Sequence, residues 1–332
     1  MFTKTSRNSA FPLNALKKAL FLICAAPLAV IAQEWPNKPI TFVVPFPAGG
    51  GTDAFARPLA AQLTEQLGKQ FVIDNRGGAG GTVGASVAAK AAPDGYTWFI
   101  GATHHTIAPS MYKNLDYDIE KSFVPVAMIA NVPQVLVVNP QKVSARNAKE
   151  FVELMKKNPG KYNYASAGSG TVHHLAGELF KIQTGTFITH IPYRGAGPAM
   201  SDLLAGQVDL EFDGLATSAA QINGGKLVAI ALASNKRSSA IPNVPTFQEA
   251  GLPDYVVSTW YSMFAPVGTP KPIVDKMIVE VQKALNTPKL KGIWEKNGSD
   301  TPSLTGEAFG KQVQADVTRW SAVVKKSGAS LD

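Results

Sequence analysis

The chain has 332 residues, is 45% hydrophobic and carries 32 basic against 24 acidic residues, a formal net charge of +8. Four of the basic residues (Lys4, Arg7, Lys17 and Lys18) precede residue 33 and no acidic residue does, so the remainder holds 28 basic against 24 acidic residues, a balance of +4. Apart from Lys289, Lys291 and the pair Lys325-Lys326 these charges are scattered, which argues against a nucleic-acid partner and leaves a weak general attraction for small anions.

In chain order, the basic N-terminal stretch is followed by an apolar run over 19–32 that ends in Val30-Ile31-Ala32. A positive stretch, a short apolar run and small residues before a cut predict a secretory signal peptide over 1–32 and a periplasmic location. The run is shorter than the ~20 residues of a bilayer span, and no other stretch is long and apolar enough. The single cysteine, Cys24, lies in that run, so the exported chain has no disulfide, thiolate or cysteine metal site. About 300 residues remain, enough to bury about 75% of their unfolded surface, typically as two domains.

Short β-branched runs then alternate with helical spacings. Strands are predicted over 40–45, 71–74, 97–101, 124–129, 134–139, 162–165, 189–192, 208–212 and 227–233. Helices are predicted over 53–67, 84–91, 148–157, 174–183 and 199–205. An extended run over 256–266 precedes helices over 270–286, 288–297 and 307–326. The alternation implies an α/β fold of mostly parallel sheets with helices on both faces. Extended runs near 124–139 and 254–266 suit two crossings between lobes. That predicts a first domain made of 33–131 and 252–332 around a second domain of 132–251.

Three Gly-rich loops each follow a strand and open a helix. The first contains Pro47, Ala48, Gly49, Gly50, Gly51, Thr52 and Asp53. The second runs from Arg76 to Gly84 and includes Gly81. The third contains Ser166, Gly168, Ser169 and Thr171. Free N–H groups and the helix dipole at such a junction favour an anion, and glycine lets the backbone approach it. No Gly-Lys-Ser/Thr follows the first loop, so it is not a nucleotide P-loop, and its consecutive glycines do not match the dinucleotide fingerprint. The third loop lacks the spacing of a Gly-x-Ser-x-Gly nucleophile elbow. Loops on two lobes that hold the two ends of one ligand would form a hinge-closing clamp.

All five histidines fall at His104-His105, His173-His174 and His190. Adjacent side chains diverge on a strand or a helix and no His-Glu-x-x-His spacing occurs, so no metal site is expected. One imidazole of a pair is instead expected to face the cleft, with Thr103 beside it, while His190 is expected to be structural. Tyr193, Arg194 and Asp213 end strands and are placed to reach the same cleft, Arg194 as a bidentate partner for a carboxylate.

With these features in view, the sequence from Trp35 to its end resembles the Bug family, periplasmic receptors of tripartite tricarboxylate transporters. The marks run in order: Phe46-Pro47-Ala48-Gly49-Gly50-Gly51-Thr52-Asp53, Asp74-Asn75-Arg76-Gly77-Gly78-Ala79-Gly80-Gly81, Ala92-Pro93-Asp94-Gly95-Tyr96, His174-Leu175-Ala176-Gly177-Glu178-Leu179-Phe180, Ile191-Pro192-Tyr193-Arg194-Gly195, Asp202 to Asp209, and Ala265-Pro266-Val267-Gly268-Thr269-Pro270. The resemblance implies a two-lobed, Venus-flytrap fold that binds a small carboxylate without a cofactor and is not an enzyme. It implies that the loops at 47–53 and 166–171 face the cleft, and that two integral membrane subunits are the partners of a monomeric receptor. Where family members carry small residues after the strand at 97–101, this chain has Ala102-Thr103-His104-His105, and His173 is also at a variable position. His104, His105 or His173 is therefore expected to shape the pocket, for an aromatic or an aliphatic di- or tricarboxylate. The competing readings are a sensory receptor for a membrane kinase and an exported hydrolase built on histidine or a metal.

Overall fold

The computed structural model describes residues 1–5, 35–329 and 331. Most of the expected signal peptide therefore lies outside the described residues. The chain divides into a unit over Met1–Trp35 and a unit over Pro36–Asp332; the second is described below. No helix among the described residues is long and apolar enough to cross a membrane.

Among the described residues nine strands form two half-sheets that share one member. In the first, β1 (Ile40–Val44) lies between β2 (Phe71–Asn75) and β3 (Thr97–Ala102), parallel to both. In the second, β5 (Asn163–Ser166) lies between β6 (Thr189–Pro192) and β7 (Leu210–Gly214), again parallel to both. Strand β8 (Val228–Leu232) belongs to this half. Each half thus has the parallel three-strand core expected of βα alternation. Ile40, Phe42 and Val44 are fully buried and Val43 nearly so, as in a strand covered on both faces.

The antiparallel pairs come from the crossing strands. Strand β4 (Phe123–Val138) is one continuous run where the sequence suggested two. Its residues 123–133 pair antiparallel with β9 (Ser258–Pro266) in the first half, and Gln134–Val138 pair antiparallel with β7 and β8 in the second. Strand β9 also pairs antiparallel with β3. The result is a two-lobed α/β fold whose sheets are mixed where the chain crosses from lobe to lobe.

Helices follow the strands. Helix α1 (Gly51–Leu67) buries Phe55, Leu59 and Leu63, one every turn, and stops at Gly68, whose φ of 63° allows the left-handed cap. Helices α2 (Thr82–Ala89) and α3 (His104–Met111) come next; the sequence had shown only a helix start near the histidines. Then α4 (Ala148–Lys157), α5 (Val172–Thr184), α6 (Ala196–Leu204) and α7 (Leu215–Asn223) alternate with the second half-sheet. Helices α8 (Lys271–Leu285), α9 (Pro288–Lys296) and α10 (Gly306–Ser327) close the chain. The first-lobe core gathers Phe99, Phe123, Phe264 and Phe309. The second gathers Phe151, Phe180, Phe212, Phe247 and Tyr255. Phe309 and Val313 of α10 join the first core and Trp320 and Val324 the second, so this helix touches both.

Candidate functional site

Every Gly-rich loop lies at the carboxyl end of a parallel strand, the edge where open α/β sheets place their ligands. In the first loop Gly50 is the extended N-cap of α1. Pro47 is half-buried, Ala48 and Gly49 are exposed, and Thr52 is buried in the first turn. The Asp53 carboxylate accepts from the Gly49 amide at 3.0 Å, Arg57 Nε at 2.7 Å and Asn75 Nδ2 at 3.2 Å. Burial pushes its pKa up, but the hydrogen bond from Arg57, with those from Gly49 and Asn75, outweighs that and holds it below its ordinary value. Asp53 therefore staples its own loop to β2.

The second loop turns through Gly78, Ala79, Gly80 and Gly81, all with positive φ, before α2. His105 reaches it from the neighbouring turn. Its Nε2 lies 3.3 Å from the Gly81 carbonyl and its Nδ1 3.0 Å from the Ala102 amide. Nε2–H donating to Gly81 and Nδ1 accepting from the Ala102 amide satisfies two of the three ring contacts, the third being the Ala102 carbonyl, also 3.0 Å from Nδ1. Burial pushes the His105 pKa down to about 4. Thr103 is bound to β9, its hydroxyl accepting from the Trp260 amide at 2.9 Å.

His104, at the start of α3, crosses to the other lobe. Its Nδ1 accepts from the Val172 amide at 3.0 Å, in the first turn of α5. A neutral His104 then carries its proton on Nε2, and burial, with His173 and His105 nearby, keeps it neutral by lowering its pKa well below the ordinary value.

In the third loop Thr171 caps α5, its hydroxyl donating to the Gly168 carbonyl at 2.7 Å and facing the His174 amide at 3.5 Å. Ser166 Oγ is 2.6 Å from His190 Nε2. The Ser169 carbonyl accepts from the Tyr112 hydroxyl at 3.3 Å, another contact between lobes. Tyr193 donates to Asp202 at 2.8 Å, and burial together with that carboxylate pushes its hydroxyl up to about 12.

These loops meet along one seam. A Cβ built on Gly197, in the first turn of α6, would stand 3.2 Å from the Ala48 carbonyl oxygen, and one on Gly195 3.0 Å from Pro47. The N-termini of α1 and α6 thus face one another, with α5 alongside. A cavity of about 400 Å³ opens beside them, lined by Phe46, Gly81, Tyr112, Gly168, Ser169 and Arg194 among others.

Deeper in the seam, Glu211 and Asp213 are wholly buried on β7. His173 Nδ1 lies 3.2 Å from Glu211 Oε1 and 3.6 Å from Asp213 Oδ1. Burial pushes Glu211 up to about 8, and burial together with Glu211 pushes Asp213 up to about 7. The His104 and His173 rings are 5.9 Å apart. Sequence reading singled out His173 and Asp213 separately and missed Glu211. The available signal was the spacing in Glu211-Phe212-Asp213: a strand's period of two puts both carboxylates on one face.

The chain matches the tripartite tricarboxylate transporter family receptor over residues 55–329. It belongs to that family. The receptor is 36% identical to protein BugT of Bordetella pertussis over 309 residues, which cover 92% of this chain and 94% of BugT. Among solved structures it is similar to the periplasmic binding protein BugD, with 39% identity, a TM-score of 0.86 and coverage of 89% of this chain and 99% of that one. It is also similar to R. palustris Rpa4515 with adipate, with 35% identity, a TM-score of 0.87 and coverage of 90% and 100%. The family is one of solute-binding receptors, in keeping with a seam built from helix N-termini. The Ser166–His190 contact has the look of a nucleophile and base. A triad also needs a group orienting the base, and among the described residues no carboxylate is hydrogen-bonded to His190.

Proposed function

We propose that this receptor captures a small carboxylate between its lobes and delivers it to the integral membrane subunits of a tripartite transporter. The observation that carries the reading is the meeting of the α1 and α6 N-termini across the seam, with α5 beside them. The α1 and α6 N-termini, which carry no side-chain cap, offer backbone N–H groups and about half a positive charge each, so carboxylates are the natural guests. Rpa4515, with adipate, supports an aliphatic dicarboxylate; the buried imidazoles at the seam suit an aromatic one equally well.

The reading assigns 33–131 and 252–332 to one lobe and 132–251 to the other, supported by the change of β4 partners between Pro133 and Gln134. Helix α10 touches both cores and would sense their closure. The protein acts as an exported, periplasmic monomer and as a receptor rather than an enzyme.

Thermal unfolding of the purified protein against a panel of aliphatic and aromatic carboxylates tests this. A ligand that binds only the folded state adds RT ln(1 + [L]/Kd), about 2.7 kcal/mol at one hundred times Kd. A clear rise in Tm with one class identifies the ligand class. No rise with any carboxylate, together with turnover of an ester or amide substrate, would overturn the reading.

A further inference from the structure

Carboxylate capture leaves a buried polar cluster of the seam, His173, Glu211 and Asp213, without a task. We propose that His173, Glu211 and Asp213 form a binding site for one divalent transition-metal cation, with zinc the best fit. The inference stands on the geometry of these three residues and does not rest on the carboxylate reading.

Their ligand atoms all lie within 4.8 Å of one another. Zinc bonds of about 2.0–2.2 Å at the tetrahedral angle put neighbouring donors about 3.3–3.6 Å apart. The imidazole-to-carboxylate separations of 3.2 and 3.6 Å fall close to that range. One nitrogen and two carboxylate oxygens are a donor set that zinc accepts, whereas calcium and magnesium call for six or more oxygens.

The charge argument points the same way. Two carboxyl groups with no exposed surface are costly to ionise unless compensated. Glu211 Oε2 and Asp213 Oδ1 have no hydrogen-bond partner, although both are buried. A dication would neutralise both carboxylates at once. Asp213 is also prepared for the role: the Thr217 and Ser218 hydroxyls donate to its Oδ2, leaving Oδ1 free, as outer-shell bonds do for metal ligands.

The scaffold is rigid. Ala165 of β5 and Val137 of β4 flank Glu211 in register, Val135 flanks Asp213, and His173 is the second residue after the Thr171 cap. Three protein ligands leave a fourth position open. His104 is not the fourth, because its Nδ1 is held by Val172 and its Nε2 then carries the proton. The expectation of no metal came from spacing along the chain, and these ligands are 38 and 40 positions from His173.

The experiment takes the purified full exported chain, strips it with EDTA and titrates zinc chloride by calorimetry, with metal content read by mass spectrometry. One zinc per chain is expected, with binding weakened at least tenfold in Glu211→Gln and Asp213→Asn. Zinc should raise the Tm of the wild type and not that of Glu211→Gln, whose side chain keeps the same shape. Less than a tenth of an equivalent bound by the wild type, or equal binding by wild type and variants, would overturn the site. Cobalt substitution of the wild type needs no variant to fold: intense visible bands are expected of a four-coordinate ion, and a weak octahedral spectrum counts against the proposal. The carboxylate panel repeated on the stripped protein separates the two readings, since a Tm rise there keeps the receptor whatever zinc does.

Discussion

His104 and His105 are neighbours in sequence with different duties. His105 bridges two loops of its own lobe, and His104 reaches the first turn of α5 on the other. Their directions diverge because consecutive residues at a helix start are turned by about 100°. His105 makes a testable contribution to stability. Its pKa is about 4 in the folded chain against about 6.5 when unfolded. The unfolded chain therefore takes the proton first as pH falls. The stability gained from a neutral His105 is complete above about pH 6.5 and is lost progressively toward pH 4, by about 3 kcal/mol in all. Urea unfolding of wild type and His105→Gln at pH 7 and pH 4.5 measures it: the wild type should lose about 2–3 kcal/mol more than the variant between the two. Equal losses would show that His105 titrates normally.

At the scale of elements, the helix starts carry the candidate site, and the cap of α5 is a specific one. Helix α5 depends on Thr171, whose hydroxyl both faces the His174 amide and ties the loop back to Gly168. Thr171→Ala should cost about 0.5–2 kcal/mol of unfolding free energy, the usual range for a lost N-cap, while Thr171→Ser should cost much less. Chemical denaturation of both variants checks this; a neutral Thr171→Ala would mean that solvent replaces the cap. The strand–loop–helix junctions at 45–53, 76–84 and 165–172 were legible in the sequence because glycine clusters between a β-branched run and a helical spacing have few other uses. The helices α3 and α7 were not. His104–Met111 has Pro109 inside it, which hides its extent beyond the start near the histidines, and α7 follows its strand without a polar loop to mark its start.

For the whole molecule, the proposed function requires the seam to move. Gly197 lies close against Ala48 and Gly49, where a Cβ would already be tight. In Gly197→Leu the added atoms should hold the lobes apart, lowering carboxylate affinity tenfold or more. Stability without ligand should change by less than about 1 kcal/mol, because neither core is touched. Small-angle scattering with saturating ligand should show the variant more extended than the wild type; identical profiles and affinities would place the ligand away from this seam. The sequence by itself determined the α/β alternation, the three anion-favouring loops and the family, because each is written in local spacing and in ordered short motifs. Only the tertiary structure decided how the lobes share β4, since a strand that changes partners midway looks locally like two. It alone brought His173 to Glu211 and Asp213 as well. That contact joins the first turn of α5 to the end of β7, and no periodicity along the chain encodes which helix start will face which strand.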